Sequence, residues 1–163
     1  MPLARSRLGL LLLGVLLTLV LYLLLLAAQH EQHLAGARPD EGKQGRPDVL
    51  FLHGQAFTSK TWEALGTLAL LAGEGYRAVA IDLPGYGDSP PAEMVATAQG
   101  RVAFLDHVLQ ELGMRRPVLV SPSMSGRFAL PFLLARGDQL AGFVPVAPVG
   151  TKDYAAEQYR QVQ

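Results

Sequence analysis

The apolar residues of this chain are arranged in two different ways. Residues 8–28 form one uncharged stretch rich in leucine, whereas from residue 48 onwards short apolar runs alternate with segments in which apolar residues recur every three or four positions. A short continuous run is typical of a strand buried on both faces, and the wider spacing is typical of an amphipathic helix. The predicted strands are residues 49–52, 76–81, 118–120 and 142–147, and the predicted helices lie near Ser59, Val102, Phe128 and Asp153.

The first predicted helix has Ser59 as its N-cap, because a serine side chain can accept a hydrogen bond from a free backbone N–H there. Its apolar stripe consists of Trp62, Leu65, Leu68 and Ala72. Strands and helices alternate along residues 48–163, which predicts an α/β fold with a doubly wound, mostly parallel sheet and right-handed crossovers.

Residues 8–28 are expected to cross a membrane as an uncleaved signal-anchor. A helix of this length extends about 31 Å, and a bilayer core is about 30 Å thick. A cleaved signal peptide is the main alternative, since Arg5 and Arg7 precede the stretch; a buried soluble helix is disfavoured because no polar face is present. With no further Lys or Arg until Arg38, the positive-inside rule predicts a single-pass type II protein with a cytosolic N-terminus. The reverse orientation would make the folded part face the cytoplasm.

Four segments follow from this pattern. We expect a cytosolic N-terminus at residues 1–7, a transmembrane signal-anchor at 8–28, a polar linker at 29–47 and a partial α/β domain at 48–163. The predicted partner of the signal-anchor is the lipid bilayer.

Composition removes several classes of function. The chain has 14 Lys and Arg against 14 Asp and Glu, so its net charge does not indicate a nucleic-acid partner. It has no cysteine, which excludes disulfides, thiolate metal sites and a cysteine nucleophile.

The segment 121–126, Ser-Pro-Ser-Met-Ser-Gly, joins a predicted strand to a predicted helix. It is a variant of the nucleophile elbow G-x-S-x-G in which Ser121 and Ser125 replace the usual glycines. The central Ser123 is the candidate nucleophile, and the backbone N–H of Met124 is a candidate oxyanion-hole donor. A serine-rich helix cap without catalytic function is the alternative.

His53 and Gly54 directly follow the first predicted strand. In this architecture the residues after such a pair supply the second oxyanion-hole amide, for which we favour Gln55 over Ala56. We expect His53 to hydrogen-bond the loop backbone rather than to act as a base.

Asp82 ends the second predicted strand and begins a loop rich in glycine and proline. A structural role is favoured over a catalytic one, because a carboxylate can accept backbone N–H bonds within such a loop.

These motifs resemble the α/β-hydrolase superfamily and, within it, the α/β-hydrolase-domain-containing protein 14 subfamily, most closely its membrane-anchored A form. The resemblance rests on residues 52–54, 61–68, 75–85, 121–126, 130–133 and 142–148.

The resemblance implies a Ser-Asp-His triad in that chain order, with Ser123 as the nucleophile. All four histidines precede Ser123, and Asp138 and Asp153 follow it without a histidine partner. His107 falls on a predicted helix and is interpreted as a surface or groove residue. We therefore expect a truncated form whose acid and base are absent and which is inactive as it stands.

The predicted function is that of a membrane-anchored serine hydrolase that transfers the acyl group of a small ester, thioester or amide through a Ser123 acyl-enzyme. No cofactor and no metal are implied. The alternative is a non-catalytic, membrane-tethered interaction protein that retains the hydrolase scaffold. A nucleotide-binding domain is disfavoured because neither glycine-rich phosphate motif occurs.

Overall fold

A computed structural model describes residues 45–162. Four strands and five α-helices follow one another along this part of the chain. In chain order they are β1 (Val49–Phe51), α1 (Ser59–Ala64), α2 (Thr67–Gly73), β2 (Ala78–Ala80), α3 (Ala98–Glu111), β3 (Val118–Pro122), α4 (Gly126–Arg136), β4 (Gly142–Val146) and α5 (Ala156–Arg160). Short 3-10 helices occupy Glu93–Ala96, Ser123–Ser125, Gly137–Gln139 and Thr151–Asp153.

The four strands form one parallel sheet in the order β2-β1-β3-β4. Leu50 of β1 pairs with Val79 of β2 on one side and with Leu119 of β3 on the other. The predicted α/β fold with a parallel sheet is therefore confirmed. The carboxyl ends of β1 and β3 lie side by side, which brings the two loops after them to one edge of the sheet.

The central strand β1 is buried on both faces, and its successive side chains point to opposite faces of the sheet. Leu50 and Leu52 enter a core formed with α3 and α4, whereas Val49 and Phe51 pack on the side of α1 and α2. This division explains why β1 is a continuous apolar run rather than an alternating one.

The first helical segment differs from the prediction. Gly66 adopts a φ of +74° and divides it into α1 and α2, and the N-cap of α1 is Thr58 rather than Ser59. Leu65, expected on the apolar stripe, is 69% exposed. A three-to-four spacing cannot reveal this break, since the apolar residues on either side of Gly66 keep the same period.

Pro131 lies inside α4, which begins at Gly126. Proline has no N–H to donate to the carbonyl four residues earlier, which is that of Arg127. The Arg101 side chain supplies the missing donor, with its Nε 2.8 Å from the Arg127 oxygen. A side chain of α3 therefore compensates for the proline and joins the two helices.

Within residues 45–162, no helix combines the length and the apolar character that crossing a membrane requires. The predicted segments 1–7 and 8–28, and all but the last three residues of the predicted linker 29–47, lie outside the described residues.

Candidate active site

Ser123 occupies a sharp turn at the carboxyl end of β3. Its φ is +47°, a left-handed conformation that a serine rarely adopts, and the residue is exposed at the surface. A strained, exposed serine between a strand and a helix is the geometry of a nucleophile elbow. The following residues turn directly into α4, whose N-terminal end lies beside Ser123.

Two buried serines stand where such an elbow usually has glycines. Ser121 and Ser125 are both fully buried, and their hydroxyl oxygens lie 3.0 Å apart. The Ser125 hydroxyl donates to the carbonyl oxygen of Pro122 at 2.7 Å, so the Ser121 hydroxyl is the donor between the two serines. These hydrogen bonds connect the end of β3 to the 3-10 helix Ser123–Ser125 and stabilise the buried side of the elbow.

The elbow is also held from the segment after β4. The Val149 N–H donates to the Ser123 carbonyl oxygen at 2.8 Å. Gly126 permits this approach, because a Cβ at that position would lie 2.4 Å from the Val149 oxygen and 2.7 Å from Pro148 Cβ. A glycine is therefore required at position 126, because any side chain there would clash with the segment after β4.

His53 shapes the neighbouring loop. Its Nε2 accepts the N–H of Leu83 at 3.0 Å, so the proton is on Nδ1, which lies 2.8 Å from the Gly54 carbonyl oxygen. The ring is 1% exposed and contacts the Tyr86 ring edge-on at 5.2 Å. Both nitrogens are used, which confirms the expected structural role and leaves neither free for proton transfer.

The loop after His53 approaches the elbow closely. A Cβ at Gly54 would lie 3.6 Å from Ser123 Cβ. The Phe57 N–H donates to the Gly54 oxygen at 3.1 Å and closes a turn whose central residues are Gln55 and Ala56, both exposed. The hydrogen bond between Phe57 and Gly54 closes this turn without using the backbone N–H groups of the two central residues, Gln55 and Ala56.

Ser123 and Gln55 line one cavity of about 500 Å³. Its wall is mostly apolar and consists of Phe57, Trp62, Leu65 and Pro122, with His53, Gly54, Ala56 and Thr61 completing it. The structure thus brings together two of the three predicted site residues. The Met124 side chain instead packs against the hydrophobic core, and the roles of the Gln55 and Met124 amides stay predictions.

Asp82 stabilises the loop after β2. Its carboxylate accepts the N–H of Ser59 at 2.6 Å and that of Asp88 at 3.0 Å. Burial tends to raise the pKa of this carboxyl, but the hydrogen bonds from Asp88 and Ser59 outweigh it and hold the pKa below the ordinary value of 3.8. The preferred structural interpretation of Asp82 is supported by these contacts.

The described residues include two histidines, and neither faces Ser123 as a base. His53 is fully hydrogen-bonded, and His107 is exposed on α3, where it lines a separate cavity with Ile81, Asp82 and Ser89. Among residues 45–162, no group of three or more His, Asp or Glu side chains is placed to hold a metal ion.

Sequence reasoning missed the apolar cavity. The periodicity places Trp62 and Leu65 on the apolar stripe of a helix and gives no sign of Phe57. The signal available was their position, since all three residues come within a dozen positions of the His53-Gly54 pair.

Comparison with known proteins agrees with this geometry. Residues 49–162 match the model of the alpha/beta hydrolase family. The chain is 59% identical over 118 residues to protein ABHD14A of Danio rerio, a match that covers 72% of this chain and 44% of the relative. It is 51% identical over 131 residues to the human "Putative protein-lysine deacylase ABHD14B", covering 78% of this chain and 61% of the relative. The chain therefore spans less than two thirds of the length of these curated relatives.

Solved structures share the fold. A "predicted CIB-like hydrolase" from Thermoplasma acidophilum superposes with a TM-score of 0.67 at 24% identity, over 76% of this chain and 61% of that one. The carboxylesterase CesB of Bacillus subtilis gives a TM-score of 0.57 at 25% identity, over 66% of this chain and 37% of that one. The parallel sheet, the serine elbow and these similarities lead to one assignment: the chain belongs to the alpha/beta hydrolase family and, within it, to the ABHD14 subfamily.

Proposed function

We propose that Ser123 is the nucleophile of an acyl transfer from a small ester, thioester or amide to water or another acceptor. The observation that carries this proposal is the exposed Ser123 at φ +47°, packed against Gly54 and opening into the cavity that Gln55 shares. A structural serine has no need of a strained conformation beside an open cavity.

The reaction forms one bond and breaks another. The Ser123 oxygen adds to the substrate carbonyl carbon, and its proton passes to a base. The negative charge develops on the carbonyl oxygen, where the N–H groups of Gln55 and Met124 would donate to it. Collapse of this intermediate breaks the bond to the leaving group, which departs with the proton held by the base, and leaves the acyl group on Ser123. Water or the acceptor then adds to the acyl carbonyl and releases the serine. Within residues 45–162 neither histidine is placed to take the Ser123 proton, because both ring nitrogens of His53 are hydrogen-bonded and His107 lines a separate cavity.

An amide is the substrate class suggested by a relative. The name of human ABHD14B describes deacylation of protein lysine, and this relative is 51% identical over 131 residues. We extend that chemistry to this chain as a proposal: the acyl group would come from an N-acyl amine such as an acylated lysine.

A non-catalytic interaction protein is the second candidate. It is favoured by the exposed apolar residues of β4, where Val144 is 44% and Val146 is 48% exposed. Such a sheet edge can pair with another chain.

We also propose that residues 8–28 anchor the chain in a lipid bilayer as a single-pass type II protein. The support is the uncharged, leucine-rich sequence with Arg5 and Arg7 before it.

Acylation by an activated ester tests the catalytic proposal. The full chain is incubated with p-nitrophenyl acetate, with and without imidazole as a replacement base, and its intact mass is measured. We expect one acetyl group to be added at Ser123, faster with imidazole, and no addition at this site in Ser123→Ala. Acetylation that is equal in both proteins would contradict the proposal.

A further inference from the structure

We propose that the cavity between the C-terminal half of α3 and the end of α4 binds a small phosphate monoester through the guanidinium groups of Arg115 and Arg136. The cavity has a volume of about 420 Å³, within the range of small-molecule sites. It adjoins the amino ends of β3 and β4, whereas Ser123 follows the carboxyl end of β3. The site is therefore separate from the proposed acyl transfer and does not depend on it.

Two cations line this cavity. Arg115 precedes β3 and Arg136 is the last residue of α4, and both are exposed. Within residues 45–162, neither guanidinium makes an ion pair or a side-chain hydrogen bond. Asp106 lines the same cavity, but its carboxylate accepts from Gln110 at 3.2 Å and forms no ion pair with either arginine. Like charges beside one cavity repel each other, so an anion between them is favoured.

The end of α3 does not account for Arg115. Carbonyl oxygens of its last turn accept the N–H groups of Gly113 and Met114. The Leu112 carbonyl oxygen accepts the Arg77 guanidinium at 2.6 Å. These donors satisfy the helix end that a cation would otherwise stabilise. The Arg115 side chain is therefore available to a ligand.

The neighbouring arginine is directed elsewhere. Arg116 adopts a φ of +48°, a left-handed conformation that few residues other than glycine adopt. Its guanidinium lies 3.5 Å from the Leu140 carbonyl oxygen, and Arg116 does not line the cavity. Arg115 and Arg116 thus have the same charge and are both exposed, but they differ in access to the cavity.

The lining favours a phosphate monoester over a carboxylate. A guanidinium group can donate two parallel hydrogen bonds to an oxyanion. The two arginines together balance the charge of a phosphate monoester, about −2 at neutral pH, better than that of a single carboxylate. The buried side chains of Leu109 and Met114 also line the cavity. They provide carbon surface for the organic part of the ester.

Isothermal titration calorimetry tests the site with phenyl phosphate as the probe. The full chain in detergent micelles at pH 7.5 is titrated with phenyl phosphate, inorganic phosphate and benzoate, and micelles alone are the blank. We expect phenyl phosphate to bind most tightly, because it combines a doubly charged group with an apolar ring. Benzoate binding as tight as that of phenyl phosphate would overturn the assignment.

A matched pair of variants locates the binding. Arg115→Gln and Arg136→Gln should each weaken phenyl phosphate binding about tenfold or more, because each removes hydrogen bonds to a charged group. Arg116→Gln removes the same charge one position further on and should change the affinity by less than about twofold, since a distant exposed charge is screened by salt. Circular dichroism checks that each variant keeps its fold.

The outcomes separate this inference from the proposed reaction. Ser123→Ala should bind phenyl phosphate with unchanged affinity, whether or not Ser123 is acylated by p-nitrophenyl acetate. Absence of binding, an equal loss in Arg115→Gln and Arg116→Gln, or a loss in Ser123→Ala would each overturn the phosphate-ester site.

Discussion

The hydroxyl oxygens of Ser121 and Ser125 lie 3.0 Å apart in the buried base of the elbow that carries Ser123. The two residues take the positions that glycines usually occupy, and each satisfies the hydrogen-bonding need of a buried hydroxyl. Replacing two flexible residues by a bonded pair reduces the number of conformations open to the elbow. The bond therefore helps to keep Ser123 at a positive φ.

Removing the Ser125 hydroxyl should lower the free energy of unfolding more than removing the Ser121 hydroxyl does. Ser125→Ala leaves the buried Ser121 hydroxyl without its acceptor and the Pro122 oxygen without its donor, so the free energy of unfolding should fall by about 1–3 kcal/mol. Ser121→Ala removes one donor and leaves the bond to Pro122 intact, with an expected loss of about 1 kcal/mol. Urea denaturation of the full chain measures both. A larger loss for Ser121→Ala would contradict the donor directions assigned here.

The close contact at Gly126 predicts a second stability effect. Gly126→Ala places a methyl group 2.4 Å from the Val149 oxygen, so the segment after β4 must move and the bond from Val149 to Ser123 weakens. We expect a loss of about 1–3 kcal/mol. Gly73→Ala is the control, because nothing lies within 4 Å of a Cβ there; it should be neutral or stabilise by up to about 1 kcal/mol. Equal melting temperatures for the two variants would argue against the contact.

The lowered pKa of Asp82 predicts how stability depends on pH. A carboxyl that is more acidic in the folded state stabilises the fold above its ordinary pKa of 3.8, and this contribution is lost as the pH falls through the lowered value. Asp82→Asn should be less stable at neutral pH by about 1–3 kcal/mol, since one of its two N–H donors loses its acceptor. The difference from the unsubstituted chain should shrink in strong acid.

Asp88→Asn is the matched control for this experiment. It keeps the Asp88 backbone N–H that Asp82 accepts and removes only the exposed ion pair with Lys60. An ion pair this exposed is screened by solvent and contributes little to stability. If Asp88→Asn changed the acid dependence as much as Asp82→Asn, the assignment of this dependence to Asp82 would be wrong.

The proposed membrane anchor gives a prediction for fractionation. Because residues 8–28 lack charge and are long enough to span a bilayer, the expressed chain should stay in the pellet after alkaline carbonate extraction and keep its N-terminal residues. A chain that begins near Gln29, or one recovered in the supernatant, would rule out the signal-anchor.

The sequence was sufficient to predict the strands and the elbow. Four short apolar runs mark the parallel strands, and Ser-Pro-Ser-Met-Ser-Gly marks the turn with Ser123 at its centre. Both are local signals, because burial on two faces and the need for small residues act within a few positions. The structural roles of His53 and Asp82 also followed from their places at strand ends.

Side-chain relationships between separate segments were not predictable in this way. The break at Gly66 depends on one backbone angle, which leaves the period of the apolar residues unchanged. The exposed Leu65 and the Ser121–Ser125 bond depend on how the elements turn and pack, which periodicity does not encode.

Labelling with a fluorophosphonate probe tests the central claim, that Ser123 is the nucleophile, most directly. A serine hydroxyl is a weak nucleophile without a base, and neither histidine of residues 45–162 is placed to take the Ser123 proton, so we expect negligible labelling of the chain without added base. With imidazole we predict labelling confined to Ser123, abolished by Ser123→Ala and largely retained in Ser121→Ala. Labelling of Ser123→Ala at the rate of the unsubstituted chain would contradict the account.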